Sequence, residues 1–221
     1  MKMIVKKIQA NFLILLGAIA LIPAISFPGL SQLSEAAIQR VIGAGLMSEY
    51  PDGSFHGERG ITRAELAAIL VKTFQLQQRA IVDENAASSL VDVSSAHWAY
   101  DDIQWVVKTG IMSGYRPGYF YPDRPISRAE GFAIFTQAYG VLPLGDAEVD
   151  RILKRYADGD RVPYWARQAI ATALIEELVN LEGTQSISPL QPMTRSDMVY
   201  GLYRYLEKQQ NPGTIPDFPV D

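Results

Sequence analysis

Apolar residues recur at helical spacing in three stretches of the chain, evenly separated. Ile38, Val41, Ile42 and Leu46 form the first set. Ile103, Val106, Val107 and Ile111 form the second, opened by Trp98; Ile170, Ala173, Leu174 and Leu178 form the third, opened by Trp165. Each set marks one face of an amphipathic helix. A loop of about 15 residues rich in Gly, Pro and Tyr follows the helix, and then a second apolar series begins. These second series are Leu66, Ile69, Leu70 and Phe74; Phe132, Phe135 and Tyr139; and Met198, Leu202 and Tyr205. The pattern predicts a mainly α protein of three helix-loop-helix units. The connection 140–156 predicts one further short helix over 146–155, with Val149, Ile152 and Leu153 on one face.

The start of each second helix carries the same five-residue pattern: Ile61-Thr62-Arg63-Ala64-Glu65, Ile126-Ser127-Arg128-Ala129-Glu130 and Met193-Thr194-Arg195-Ser196-Asp197. Thr62 and Ser127 are 65 positions apart, and Ser127 and Thr194 are 67 apart. Trp98 and Trp165 each precede their hydroxyl residue by 29, a place held by Leu33 in the first unit. Gly45 and Gly110 each lie 17 before it, where the third unit has Glu177. Tyr50, Gly53 and Phe55 match Tyr115, Gly118 and Phe120, and the third loop lacks these markers. A register this regular means one structural unit used three times, with the third copy divergent.

Two of the motif residues are explained by helix physics. Thr62 with Glu65, and Ser127 with Glu130, have the spacing of a capping box, hydroxyl at the N-cap and carboxylate at N3. Thr194 with Asp197 repeats it with a shorter acid, whose charge still favours a helix start. The arginines are not explained this way, because a cation in the first turn opposes the helix dipole by about 0.3–1 kcal/mol. Either Arg63, Arg128 and Arg195 reach a neighbouring unit and bond its carboxylates or carbonyls, or they join free helix-start N–H groups in an anion site. The residues alone leave both readings open.

The order Trp98-Ala99, Gly110-Ile111-Met112-Ser113-Gly114-Tyr115, Phe120-Tyr121-Pro122 and Ile126-Ser127-Arg128-Ala129-Glu130 resembles the S-layer homology (SLH) domain. The first copy, with Tyr50-Pro51-Asp52-Gly53-Ser54-Phe55 and Ile61-Thr62-Arg63-Ala64-Glu65, is similar to it as well. The resemblance covers roughly residues 33 to 208. It implies three SLH repeats in a pseudo-threefold arrangement around a central three-helix bundle, with grooves between lobes. It further implies non-covalent binding of an anionic, commonly pyruvylated, cell-wall polysaccharide linked to peptidoglycan. The ligand-binding candidates are then Arg63, Arg128, Arg195, Trp98, Trp165, Gly45, Gly110, Tyr50, Tyr115 and Asp52. Several have simpler roles: the tryptophans pack as core, the glycines permit positive φ, and Asp52 makes a turn.

Charge and the N-terminus add a location. Lys2, Lys6 and Lys7 precede an apolar stretch over 12–27, shorter than the ~20 residues of a membrane-spanning helix. This predicts a signal peptide over 1–26, with cleavage possible up to 31, and an exported protein of the cell wall or envelope. The expected organisation is then a repeat over 32–76 with a truncated start, repeats over 90–140 and 156–208, and an extended tail over 209–221. Removing three lysines and no acid from a net charge of −4 leaves −7, which argues against nucleic acid as a partner. No stable membrane span is expected once the leader is gone.

Catalysis finds little support. The chain has no cysteine, two histidines (His56 and His97) and no Gly-x-Ser-x-Gly elbow. Asp158-Gly159-Asp160 lacks the remainder of a calcium loop and reads as a turn, so neither metal nor cofactor is expected. Two alternatives to wall binding stand beside it. One is an envelope adaptor whose inter-repeat grooves take a protein partner; the other is a wall-modifying glycoside hydrolase using a carboxylate pair.

Overall fold

A computed structural model describes residues 35–86, 90–141, 144–183 and 185–210. The proposed signal peptide, Leu33 and residues 211–221 of the tail lie outside the described residues. Among the described residues seven α-helices carry the fold: α1 (Glu35–Gly43), α2 (Arg63–Phe74), α3 (Tyr100–Lys108), α4 (Arg128–Tyr139), α5 (Asp146–Leu153), α6 (Arg167–Ile175) and α7 (Arg195–Gln210). The short helix expected after the second unit is α5. Helix α7 runs through Gln209 and Gln210, two residues into the stretch expected to be extended.

The second helix of each unit sits at the centre. Helices α2 and α4 bury residues on nearly every side, as an interior helix must. Helices α1 and α3 bury only a stripe, Ala37 and Val41 in one, Ile103, Val106 and Val107 in the other. Phe74, Phe135 and Tyr205 bring the C-terminal parts of α2, α4 and α7 together, with Phe74 5.2 Å from each of the other two ring centres. At the opposite end Ile61, Ile126 and Met193 are buried and close a ring of main-chain bonds. Ile61 N–H donates to Met193 O at 2.9 Å, Met193 N–H to Ile126 O at 2.9 Å, and Ile126 N–H to Ile61 O at 3.3 Å.

The first helices are displaced by one unit. Helix α3 packs on α2, α6 on α4, and α1 on α7. Each lobe therefore pairs the second helix of one unit with the first helix of the next, and the third unit closes back onto the first. No unit completes its own core, which explains why the three share one.

Candidate functional site

The helix starts account for all their N–H donors. In the first unit Thr62 N–H donates to Glu65 Oε2 at 2.8 Å and Glu65 N–H to Thr62 Oγ1 at 3.2 Å, which is the expected capping box. Ser127 and Glu130 repeat it. Thr194 and Asp197 also make both bonds, at 2.7 and 3.1 Å. The remaining first-turn donors go to the next unit's loop. Arg63 N–H reaches Arg124 O at 3.0 Å and Ala64 N–H reaches Pro122 O at 2.9 Å. Arg128 and Ala129 use Gln191 O and Pro189 O, and Arg195 and Ser196 use Arg59 O and Gly57 O. These bonds occupy the groups a helix leaves unpaired. A free helix-start anion site, one of the two readings of the motif, is thereby ruled out: no N–H remains for the ligand.

The arginines follow the other reading. Arg63 Nε donates to Phe120 O at 2.7 Å and Nη2 to Ser113 O at 2.6 Å. Arg195 does the same in the first loop, to Phe55 O at 2.9 Å and Ser48 O at 2.5 Å. Arg128 enters the third loop, with Nε to Ile187 O at 2.9 Å and Nη2 to Asn180 O at 2.5 Å. Each guanidinium thus holds the loop of the following unit by two carbonyls, seven residues apart. The bonds are charge-assisted, and they outweigh the unfavourable dipole at N1.

What surrounds each guanidinium differs between lobes. Arg195 lies over the rings of Tyr50 and Phe55, at 4.7 and 4.3 Å. Arg63 lies over Tyr115 and Phe120, at 4.5 and 4.4 Å. In both, the tyrosine hydroxyl donates to the capping glutamate: Tyr50 to Glu65 Oε1 at 3.4 Å and Tyr115 to Glu130 Oε1 at 2.5 Å. Burial works to raise the Glu130 carboxyl, but the Ser127 N–H, the Tyr115 hydroxyl, the Ser127 hydroxyl and the Arg124 charge together hold it below its ordinary value. Burial and the same glutamate push the Tyr115 phenol up.

The third lobe has Glu182 where the others have tyrosine, and Asp197 where they have glutamate. With no ring between them, Asp197 Oδ1 accepts directly from Arg128 Nη1, and also from Asn180 Nδ2 at 2.7 Å. Arg128 is 1% exposed. As a ligand contact it is corrected: the guanidinium is enclosed and its donors are spent on the protein.

One cleft is assembled from all three units. It measures about 320 Å³ and is lined by Ser48 and Tyr50 from the first loop, Glu65 and Lys72 from α2, Trp98 from the second unit and Arg195 from the third. Trp98 is 65% exposed and Trp165 61%, so core packing, the simpler expectation for both, is corrected. His97 stacks on Trp98 with ring centres 5.7 Å apart, and its Nδ1 accepts from Ala99 N–H, which fixes the approach to α3. Gly45 and Gly110 have φ of +72° and +70° with no close neighbour to clash, so they serve backbone conformation. Asp52 is a turn residue beside the cleft: Oδ1 accepts from Ser54 N–H at 2.9 Å and Oδ2 pairs with His56 Nε2 at 2.6 Å. The His56 bond, then the Ser54 N–H, hold this carboxyl below its ordinary value.

Several residues at the site carry no local signal and were not among the candidates. Asp92 accepts from Phe120 and Tyr121 N–H, and Asp158 from Ile187 and Ser188 N–H, each carboxylate pinning the loop of its own unit. Asp158 therefore fastens a loop as well as making a turn. Arg59 and Arg124 lie over the outer faces of Tyr50 and Tyr115, at 4.8 and 3.9 Å. Both precede their hydroxyl residue by three, where the third unit has Gln191, so the repeat register could have identified them. Among the described residues no group of His, Cys, Asp or Glu is arranged to hold a metal ion, and no helix is long and apolar enough to cross a membrane.

The architecture is that of a helical repeat protein whose units complete one another. The sequence profile of the S-layer homology domain matches residues 32–67, 90–130 and 155–199, more than half of the chain, and the chain belongs to this family. It is similar to the Surface-layer 125 kDa protein of Lysinibacillus sphaericus, 27% identical over 82% of this chain and 15% of that protein. It is 29% identical to the Cellulosome-anchoring protein of Acetivibrio thermocellus over 79% of this chain and 38% of the relative. Cell surface glycoprotein 1 of the same organism is 32% identical over 77% of this chain and 7% of its own length. The chain spans well under two thirds of each of these relatives.

Proposed function

We propose that the protein is an exported envelope protein that binds cell-wall polysaccharide non-covalently and so anchors at the bacterial cell surface. The observation that carries this reading is the cleft with Trp98 at its edge. The exposed indole offers a flat aromatic face beside the polar groups of the cleft, which suits a sugar ring. The cleft needs residues from three units, so only the assembled triplet offers it. The names of the relatives, a surface-layer protein and an anchoring protein, favour the same reading for this chain.

The finer features belong to this reading. The three lobes are taken as pseudo-threefold, which their ring of main-chain bonds favours. The polymer is taken to be anionic and pyruvylated, which Lys72 in the cleft and the exposed Arg59 over its Tyr50 favour. The protein acts as a binding module and not as an enzyme. Binding of the purified protein to wall sacculi, before and after chemical removal of the polysaccharide, tests it. Retention by intact sacculi and release after stripping is the expected result. Equal retention on both would favour a protein partner, and sugar release from sacculi would favour a hydrolase.

A further inference from the structure

Three arginines around the loops share one setting. Arg59, Arg116 and Arg124 are exposed. Each lies over a tyrosine ring: Arg59 over Tyr50 at 4.8 Å, Arg124 over Tyr115 at 3.9 Å, and Arg116 over Tyr119 at 3.9 Å from the ring centre. Among the described residues none of the three has a carboxylate within ion-pair distance, although Glu58 and Asp123 adjoin two of them in sequence. Elsewhere the exposed Arg151 pairs with Glu148, and the exposed Arg155 and Arg161, like these three without an ion pair among the described residues, lie over no aromatic ring there. The acids nearest the loops are already engaged, Glu65 and Glu130 by caps and tyrosine hydroxyls, Asp92 by backbone N–H groups. Meanwhile the motif arginines are buried on carbonyls.

From this arrangement we infer that Arg59, Arg116 and Arg124 are cations that contact the negative groups of the polymer. Stacking on tyrosine fixes the plane of each guanidinium and leaves its edge, with the N–H fork, toward solvent. That is the arrangement a carboxylate or phosphate oxygen pair requires. The backbone of two of them is also fixed: Arg59 O accepts from Arg195 N–H at 2.9 Å and Arg124 O from Arg63 N–H at 3.0 Å. The second loop holds two such cations, because Tyr119 and Tyr121 stack 5.7 Å apart and Arg116 covers the first of them. At the corresponding places the first loop has Ser54 and His56, with Pro51 in place of Arg116. The second loop therefore takes a ligand with two anionic groups, and the first loop takes one. The third loop, with Gln191 and Glu182, takes none.

The inference rests on polysaccharide binding, and one experiment separates their fates. Binding to purified sacculi is measured over a range of salt for the wild type, for R59Q/R116Q/R124Q and for R59K/R116K/R124K. Among the described residues none of these side chains makes a hydrogen bond within the fold, so losing the tyrosine contacts should lower the thermal midpoint without unfolding the protein at the assay temperature. The glutamine triple should bind at least about tenfold more weakly at low salt and lose most of its salt dependence, since screening acts on the charges removed. The lysine triple should keep the salt dependence but bind with intermediate affinity. Equal affinity and equal salt dependence in wild type and glutamine triple would overturn the inference while leaving polysaccharide binding in place. No sacculus binding by the wild type would overturn both.

Discussion

The lobes around Arg195 and around Arg128 start from the same motif and end in opposite roles. Both guanidiniums hold a loop by two carbonyls. Around Arg195 a tyrosine separates the guanidinium from the capping glutamate, and the arginine edges a cleft that ends at an exposed tryptophan. Around Arg128 the tyrosine is replaced by Glu182 and the glutamate by Asp197, and the two charges meet directly inside the protein. Two replacements, at 182 and 197, thus separate an open edge from a closed ion pair. The lesson is that the motif arginine is a structural clasp in every copy. What surrounds it decides whether it edges a cleft, as Arg195 does, or is enclosed, as Arg128 is.

Breaking the clasp should reveal the difference most strongly. Asp197→Ala leaves Arg128 buried without its counter-charge and should cost about 3–5 kcal/mol in urea denaturation. The equivalent Glu65→Ala in the first unit loses a cap and a tyrosine contact at a wetter place, and should cost only about 1 kcal/mol. Equal costs would contradict the contrast between lobes.

The loops offer a second, smaller contrast. A Cβ on Gly114 would lie 2.4 Å from Tyr119 O, so Gly114→Ala must move backbone and should cost about 1–3 kcal/mol. Gly45→Ala meets no neighbour and is opposed by its φ of +72° alone, about 1–2 kcal/mol. Glu177 holds the same place in the third unit at φ 55°, so that loop already carries such strain.

The smallest expected effect is on acid stability. Burial works to raise the Asp158 carboxyl, but Ile187 N–H, the Ser186 hydroxyl and Ser188 N–H hold it below its unfolded value. A depressed folded value means that its contribution is complete above the unfolded value of about 4 and is lost as pH falls through the folded one. Asp158→Asn should therefore flatten the fall of the thermal midpoint below pH 4. An unchanged slope would show that this loop is not fastened by the charge.

Much of this was legible in the sequence because it is local. Helices α1 to α7 follow apolar periodicity, and the capping boxes need only residues three apart. Where Arg63 goes was not legible, because its acceptors Ser113 and Phe120 lie 50 and 57 residues on. The displacement of each first helix onto the preceding unit was hidden for the same reason: periodicity shows which face is apolar but not what covers it. Trp98 shows the limit most clearly. Its place at the opening of an amphipathic helix suggested core, yet it precedes the first turn and turns outward to the cleft edge. Arg59 and Arg124 sit in loops where no period exists, and only the three-unit register marks them.

The central claim is that the exposed indoles are wall-binding surfaces. It is tested most directly by the sacculus affinity of Trp98→Ala/Trp165→Ala against the wild type. Neither side chain belongs to the core, so the fold should be kept. The account predicts at least about tenfold weaker binding with an unchanged thermal midpoint, a loss of about 1.4 kcal/mol. Unchanged affinity in a folded variant would contradict it.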